Sequence, residues 1–496
     1  MRVLFIFPDL SSNVTHYTGV VSQGVALLSS LLKGEGHETA LLHLTKVLDR
    51  DQFQARVAAA RPDLICISSN SHYARRLPTW TKWAAEAAGV PVAVGGVHAT
   101  VCPAAVEALP DVDFICVGEG EETLPELCRT LAAGDDPSCL PNVNTRQGDG
   151  WKRNDLRAVI PDLDAMPDPD YGLFEFANLY NVRRGLFPFI MSRGCAFRCT
   201  YCCCQALKDM AGNGGRYWRF ESPDHASRRL QRMIARHAPD TKSVQFLDAI
   251  LFPNKSWLRE FAVLYKERIG LPFNCNMRAD MVDDEVARIM ADMGCQIVRF
   301  GVESGDPWLT SEVLDRQLTI DDLRHGFACL ERVGIQRWSY NMVGLPHEDF
   351  LKALATVRLN GEIGPDLAIP FIFYPYPGTR LHDLCAEEGW LSDREFDHYF
   401  DGVSLNQRHF PEGDVLFLHR FFTKLIAMYG LARHWPEKRR KTWWALVDSL
   451  LASPLLPRGW LARTWDFYKG ERHRLGEFLV KRSPRLYRVL GGTDPV

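Results

Sequence analysis

Short apolar runs alternate with amphipathic stretches along the first 135 residues. "RVLFIFPD" (2–9), "LICISSNS" (64–71), "VPVAVGGVHAT" (90–100) and "FICVGEG" (114–120) are compact runs ending in Gly, Ser or Asp, and "SQGVALLSSLLKGEGH" and "TWTKWAAEAAGV" between them carry apolar positions at helical spacing. Strands alternating with helices predict βαβ units and a doubly wound, Rossmann-like α/β domain with a parallel sheet. Ligands bind such a sheet beyond the carboxyl ends of its strands. Those ends are Pro8-Asp9, Ser68-Ser69-Asn70, Gly95-Gly96-Val97-His98 and Gly118-Glu119-Gly120. Glycine there admits close backbone approach to a ligand, although the same glycines would also serve simple tight turns. No G-x-G-x-x-G follows the first strand, which argues against an ordinary dinucleotide site.

Residues 136–186 are rich in Pro and Asp, with "PDLDAMPDPDYGLFEF" (161–176) at their centre, and predict an extended connector. Strand patterns resume at 187–191, 244–250, 273–280, 297–304, 337–346 and 367–379, each followed by a helical pattern. Six such repeats predict a partial (β/α)6 barrel over 187–400, with its chemistry at the carboxyl ends of the strands. A mainly α-helical region, 401–496, follows. The expected division is therefore a domain at 1–135, a connector at 136–186, the barrel, and the helical region.

Composition changes this picture in two places. The chain has 496 residues, is 46% hydrophobic and carries a net charge of −3. Residues 412–496 hold sixteen basic and eight acidic residues (+8), whereas the rest holds 42 and 53 (−11). Most of the fourteen cysteines are scattered singly in apolar runs, which suits a reducing cytoplasm rather than a disulfide framework. "MRVLFIFPDL" reads as a buried strand rather than a signal peptide, and no run of eighteen apolar residues predicts a spanning helix.

Five cysteines are concentrated in "SRGCAFRCTYCCCQ" (192–205), just past the first barrel strand. Cys195-x3-Cys199-x2-Cys202 places three thiols on one tight loop. Zinc would want a fourth protein ligand, for which no second C-x-x-C or His pair is present, while three thiolates leave one iron of a 4Fe-4S cluster open. With the aromatic Tyr201 before the last cysteine, the spacing resembles the C-x3-C-x-Φ-C signature of the radical S-adenosylmethionine (SAM) superfamily. The resemblance implies that the open iron binds SAM and that electron transfer from the reduced cluster yields a 5′-deoxyadenosyl radical. Cys203 and Cys204 fall outside the spacing; they either pack under the loop or meet the substrate as hydrogen donor or misplaced ligand.

Further segments carry the resemblance. "RFGVESGDPWLTSEVLDRQLT" (299–319) is similar to the superfamily's fourth-strand segment, which implies that Glu303 and Arg316 contact polar groups of SAM, and "NMVGLPHED" (341–349) to its Gly-Leu-Pro-x-Glu turn beside the adenine. Arg278 is read either as a fork on the SAM carboxylate or as a structural ion-pair member. With "GGVHATVCPAAVEALPDVDFICVGEGEETLPEL" (95–127) ahead of it, the chain resembles over roughly 1–400 the cobalamin-binding class of radical SAM enzymes, which includes methylases of unactivated carbon, an anaerobic cyclase and hopanoid-modifying enzymes. That resemblance implies cobalamin against Ser68, Ser69, Gly95, Gly96, His98, Gly118, Glu119 and Gly120. The D-x-H-x-x-G motif that supplies a lower histidine ligand is absent, so cobalt would be held without it.

The expected function is hydrogen abstraction from an unactivated carbon followed by methyl transfer from methylcobalamin. The rivals are a cobalamin-using cyclase or rearrangement enzyme, and a non-catalytic iron–sulfur electron-transfer or binding protein. Expected partners are a small-molecule or lipid-like substrate and an electron donor such as flavodoxin or ferredoxin, with no nucleic acid. The basic, aromatic tail reads as a helical cap over the barrel, or as an interfacial helix pair at the inner membrane face with Trp443 and Trp444 at headgroup depth.

Overall fold

The computed structural model describes residues 1–10, 17–211, 216–392, 394 and 402–467. Its first sheet contains β1 (Arg2–Pro8), β2 (Glu38–Leu44), β3 (Leu64–Ser68), β4 (Val92–Gly95), β5 (Phe114–Cys116), β6 (Val143–Gln147) and β7 (Gly150–Lys152), in the order β2-β1-β3-β4-β5-β6-β7. The first five strands are parallel. Alternate side chains bury both faces: Val3, Phe5, Cys66, Ala93 and Phe114 on one, Leu4, Ile6, Ile65, Val94 and Ile115 on the other. Two-sided burial is what makes these strands read as continuous apolar runs.

Two features depart from the sequence pattern. The edge strand β2 was not anticipated, and residues 143–152, inside the expected connector, form an antiparallel hairpin that extends the first sheet.

The second sheet is formed by β8 (Leu186–Phe189), β11 (Ser243–Phe246), β12 (Phe273–Met277), β13 (Cys295–Glu303), β14 (Gln336–Val343) and β15 (Leu367–Ile372), all parallel and in spatial sequence. This is the six-stranded open barrel expected from the pattern. Between β8 and β11 a short antiparallel ribbon, β9 (Ser192–Arg193) with β10 (Arg219–Phe220), flanks the cysteine loop.

Helix Glu412–Gly430 lies along helix Phe350–Ile363, burying Phe417, Leu418, Phe422 and Leu425. A Cβ at Gly361 would stand 2.6 Å from that of Tyr429, so only glycine allows this crossing. Trp443 and Trp444 donate their indole N–H groups to the carbonyls of Met428 and Tyr429, at 2.9 and 3.1 Å. They close the end of a neighbouring helix instead of facing a lipid headgroup. No helix among the described residues is long and apolar enough to cross a membrane.

Candidate active site

Cys195, Cys199 and Cys202 lie on the loop that follows β9. That loop is tied down by Thr200, whose N–H donates to Leu314 O at 3.1 Å and whose hydroxyl donates to Val313 O at 2.6 Å. Burial pushes the Cys195 and Cys199 thiols up, and Cys202 is raised to about 11, chiefly through its contact with Cys203. Left alone, these thiols stay protonated, and a metal is needed to make them thiolates. The sulfurs of Cys202, Cys203 and Cys204 lie within 4.8 Å of one another, all three residues half-buried.

Opposite the loop, β13 and β14 shift register between Gly301 and Glu303. Glu303 adopts φ 63°, a left-handed conformation uncommon outside glycine. Its carboxylate is 3.1 Å from Arg316 Nη1. Arg316 also donates to the Tyr201 hydroxyl at 2.8 Å and to Gly301 O at 2.7 Å, and Tyr201 donates to Glu303 at 3.4 Å. A Cβ at Gly301 would lie 2.4 Å from Glu303 Oε1, so glycine is what leaves room for this pair. Burial raises the Glu303 carboxyl, against the pull of Arg316. Arg316 Nε is buried without a hydrogen-bond acceptor, a donor left for a bound polar group. The three residues singled out on sequence thus form one cluster beside the cysteine loop.

In the first sheet, a cleft of about 220 Å³ opens between the ends of β1, β3, β4 and β5 and helix Gln23–Gly34. Ser68, Gly95, Gly96, Gly118, Glu119 and Gly120 line it. Gly96, at φ 94°, would place a Cβ 2.5 Å from Ser69 O, so the floor is built on a backbone contact that glycine alone permits. Glycine-lined walls of this kind let the edge of a large flat ligand such as a corrin come close to the backbone.

Four of the residues singled out on sequence have partners within the protein, and two of these contacts, at Ser69 and Arg278, correct the ligand-contact reading. Ser69 is buried, donating to Gly95 O at 2.8 Å and accepting from Ala99 N–H at 3.2 Å; it braces β3 against β4 and does not line the cleft. His98 is also buried, with Nδ1 3.1 Å from the Ser71 hydroxyl, and burial lowers its pKa. Arg278 directs its guanidinium at Asp280 (3.0 and 2.8 Å) and at the carbonyls of Arg316 and Gln317, with Phe197 stacked 3.5 Å away. It clamps the cysteine loop to the Arg316 segment and is not a free fork for SAM. The Glu119 carboxylate is held by Arg219 at 2.6 Å, Arg193 at 3.2 Å and the Ile160 N–H at 2.8 Å.

Sequence reasoning missed Arg193 and Arg219. Arg193, two residues before Cys195, also pairs with Glu121 at 2.5 Å and lines the cleft. A second cavity of about 230 Å³, between helix Gln23–Gly34, Leu163–Pro169 and Ile190–Arg193, shares Gly24, Glu121 and Arg193 with that cleft. The cleft of the first domain and the cysteine loop of the second therefore adjoin.

Comparison with known proteins agrees with this arrangement. Residues 15–128 match the B12 binding domain and residues 189–359 the radical SAM superfamily. An uncharacterized methyltransferase of Pyrococcus horikoshii is 25% identical over 423 residues, covering 84% of this chain and 90% of that protein. The anaerobic magnesium-protoporphyrin IX monomethyl ester cyclase of Cereibacter sphaeroides is 24% identical over 457 residues, covering 84% of this chain and 71% of the cyclase. Among solved structures, the radical SAM methyltransferase TsrM of Kitasatospora setae, with cobalamin and a 4Fe-4S cluster bound, superposes with a TM-score of 0.61 over 78% of each chain; at 18% identity that likeness establishes the fold. With a B12 binding domain closing onto a radical SAM barrel, the chain belongs to the cobalamin-binding class of radical SAM enzymes, whose cofactors are a 4Fe-4S cluster, SAM and cobalamin.

Proposed function

We propose that the protein is a C-methyltransferase: a hydrogen atom is removed from an unactivated carbon, and a methyl group carried by cobalamin is delivered to the same carbon. The observation that carries this reading is Arg193, which lines the glycine-walled cleft and lies two residues before the first cysteine of the loop. When bound, cluster and SAM supply the deoxyadenosyl radical, and cobalamin supplies the methyl group. Cys195, Cys199 and Cys202 would hold the cluster, and a flavodoxin or ferredoxin would deliver two electrons per turnover, one for the cleavage of SAM and one to return cobalamin to the state that accepts a methyl group. Glu303, Arg316 and Tyr201 orient the polar groups of SAM, the spare Arg316 Nε donating to it. Ser68, Gly95, Gly96, Gly118 and Gly120 seat the corrin. Methionine and 5′-deoxyadenosine leave from one SAM, S-adenosylhomocysteine from a second.

The test is anaerobic reconstitution with iron, sulfide and cobalamin, reduction, and quantification of both nucleoside products. Formation of 5′-deoxyadenosine together with S-adenosylhomocysteine supports methyl transfer. Deoxyadenosine alone favours cyclisation or rearrangement, the reading to which the cyclase relative points, and neither product from iron-loaded protein overturns the enzymatic reading.

A lipid-like substrate, met at an anionic membrane surface, is supported by one observation. Seven of the fifteen exposed large apolar side chains among the described residues fall between Leu431 and Phe467.

A further inference from the structure

Strand alternation divides the barrel side chains into two sets. On β13, Val298, Phe300 and Val302 are fully buried against the outer helices, so Arg299, Gly301 and Glu303 face the concave side. On β14, Ser339 and Asn341 bond to Asn360 of the outer helix, so Trp338 and Tyr340 face inward. Phe371 of β15 meets Tyr340 edge to face at 5.7 Å.

Arg299 stands out on this concave face. Its register partners are Asn276 on β12 and Trp338 on β14, and its guanidinium lies 5.3 Å from the Trp338 ring. Among the described residues no carboxylate or carbonyl accepts from it. The nearest functional carboxylate on the same strand, Glu303, is taken by Arg316 at 3.1 Å; Asp248 uses Oδ1 to accept from Met191 N–H and the Ser192 hydroxyl, keeps Oδ2 buried without a partner, and forms no ion pair with Arg299. Arg299 is half-buried and Leu247, on the same face, is exposed, so the concavity is open. A cation set among aromatic rings and without a counter-charge is unusual for a purely structural arginine, which is normally paired.

We infer that the concave face of the barrel is a binding site for a planar apolar substrate bearing an anionic group, with Arg299 as its counter-charge and Trp338, Tyr340 and Phe371 as its walls. The inference rests on the radical enzyme reading and names the substrate class of that site. Arg299 is four residues from Glu303 on the same face, ~13 Å along the strand. An anion anchored at Arg299 therefore leaves the rest of a ring-sized substrate extended toward the Glu303–Arg316 pair, where the reacting carbon belongs. The guanidinium matches a carboxylate, phosphate or sulfonate by paired N–H donors, and its proximity to Trp338 keeps it from swinging away.

The test is equilibrium dialysis of the cofactor-loaded protein with 2-naphthoate and with its neutral isostere 2-naphthamide. The protein should bind the naphthoate about tenfold more tightly, as one charge-assisted hydrogen-bond pair implies. Arg299→Gln should abolish the preference, and Arg299→Lys should keep part of it. Trp338→Ala should weaken both probes, the naphthoate more because Arg299 also loses its support, and this variant decides the matter if Arg299→Gln does not fold, folding being checked by cobalamin uptake. Equal binding of the two probes to the unaltered protein, a preference that survives Arg299→Gln, or undiminished binding of both by Trp338→Ala would overturn the inference. Failure of the deoxyadenosine assay on the unaltered protein would instead sink the catalytic reading, whatever the dialysis gives.

Discussion

The guanidinium of Arg219 and the carboxylate of Glu119 meet at 2.6 Å, one from the ribbon beside the cysteine loop and the other from the end of the first sheet. Across that ribbon Arg219 pairs in register with Arg193, so two arginines converge on a single acidic segment, Glu119 to Glu121. Arg219 is buried. Removing one member of a buried pair leaves an uncompensated charge, at a cost of about 3 kcal/mol. Glu119→Ala should therefore destabilise the protein by roughly that amount in chemical denaturation, and Glu119→Gln by less because its hydrogen bonds remain. Equal stability of Glu119→Ala and the parent would show that the two domains are held together by other means.

The glycines of the cleft should separate into two kinds. Gly96 has φ 94° and a backbone oxygen 2.5 Å from its would-be Cβ, so Gly96→Ala should lower thermal stability as well as cobalamin uptake. Gly95 has ordinary backbone, and its would-be Cβ meets Cys116 alone, Cβ at 3.5 Å and O at 3.8 Å, both ordinary contacts. Gly95→Leu should thus fill the cleft and abolish cobalamin uptake in equilibrium dialysis, while the melting temperature moves far less than in Gly96→Ala. Full uptake by Gly95→Leu would place the corrin elsewhere.

In the cysteine loop, Cys195→Ala, Cys199→Ala and Cys202→Ala should each lose the cluster and all SAM cleavage, since each removes one of three anchors. Cys203→Ala and Cys204→Ala should keep both. The closeness of the Cys202, Cys203 and Cys204 sulfurs makes this a demanding comparison, because a neighbour stands ready to substitute for Cys202. Iron and sulfide analysis beside deoxyadenosine yield reads the outcome. A full cluster in Cys199→Ala with undiminished deoxyadenosine would refute the ligand set.

Ten of the fifteen strands among the described residues were legible because apolar runs buried on both faces, or alternating between helix and lumen, leave a period in the sequence. Edge strand β2, with most of its residues partly exposed, carries less of that signal, and β7 is three residues long. At the site, the gathering of Tyr201, Glu303 and Arg316 beside the cysteine loop was legible through spacing and resemblance. The ion-pair alternative for Arg278 was open on sequence, but its partner Asp280, like Arg219 for Glu119, is chosen by tertiary contact. Arg299 had a usable signal: "IVRFGVES" places a cation within an otherwise apolar strand, and such a residue needs either a partner or a ligand.

Glu348, in the turn after β14, should give the fold a pH dependence. It is fully buried, with Oε2 accepting the N–H groups of Gly344 and Leu345 at 2.6 and 3.0 Å and Oε1 without a partner. Burial raises its pKa from 4.5 to about 8. The folded state thus holds a proton that the unfolded chain has released above pH 4.5. Stability contributed by this group is full below that pH and is lost as pH rises toward 8, by at most about 1.4 kcal/mol per pH unit. Asp248, raised by burial from 3.8 to about 7, acts in the same direction. Glu348→Gln should flatten, without abolishing, the fall in the denaturation midpoint between pH 5 and 8. An unchanged slope would show that Glu348 is ionised in the folded protein.

The C-terminal helices give the last prediction. With Trp443 and Trp444 committed to helix ends, the apolar surface there consists of Leu446 and Leu450, one turn apart on helix Glu437–Leu451, followed by Leu455 and Trp460. Lys438 and Arg439 are exposed at the start of the same helix, and Arg463 follows Trp460. Exposed basic residues near an anionic bilayer contribute about 1 kcal/mol each before salt reduces the sum, and leucines inserted beside them add apolar burial. The protein should therefore sediment with anionic vesicles at low salt, less with neutral ones, and less again as salt shortens the screening length. Leu446→Asp combined with Leu450→Asp should abolish the sedimentation without changing cobalamin uptake, because neither side chain is buried in the fold. Equal, negligible pelleting with both vesicle types at low salt would remove the membrane from the account and leave a soluble anionic substrate as the one to seek.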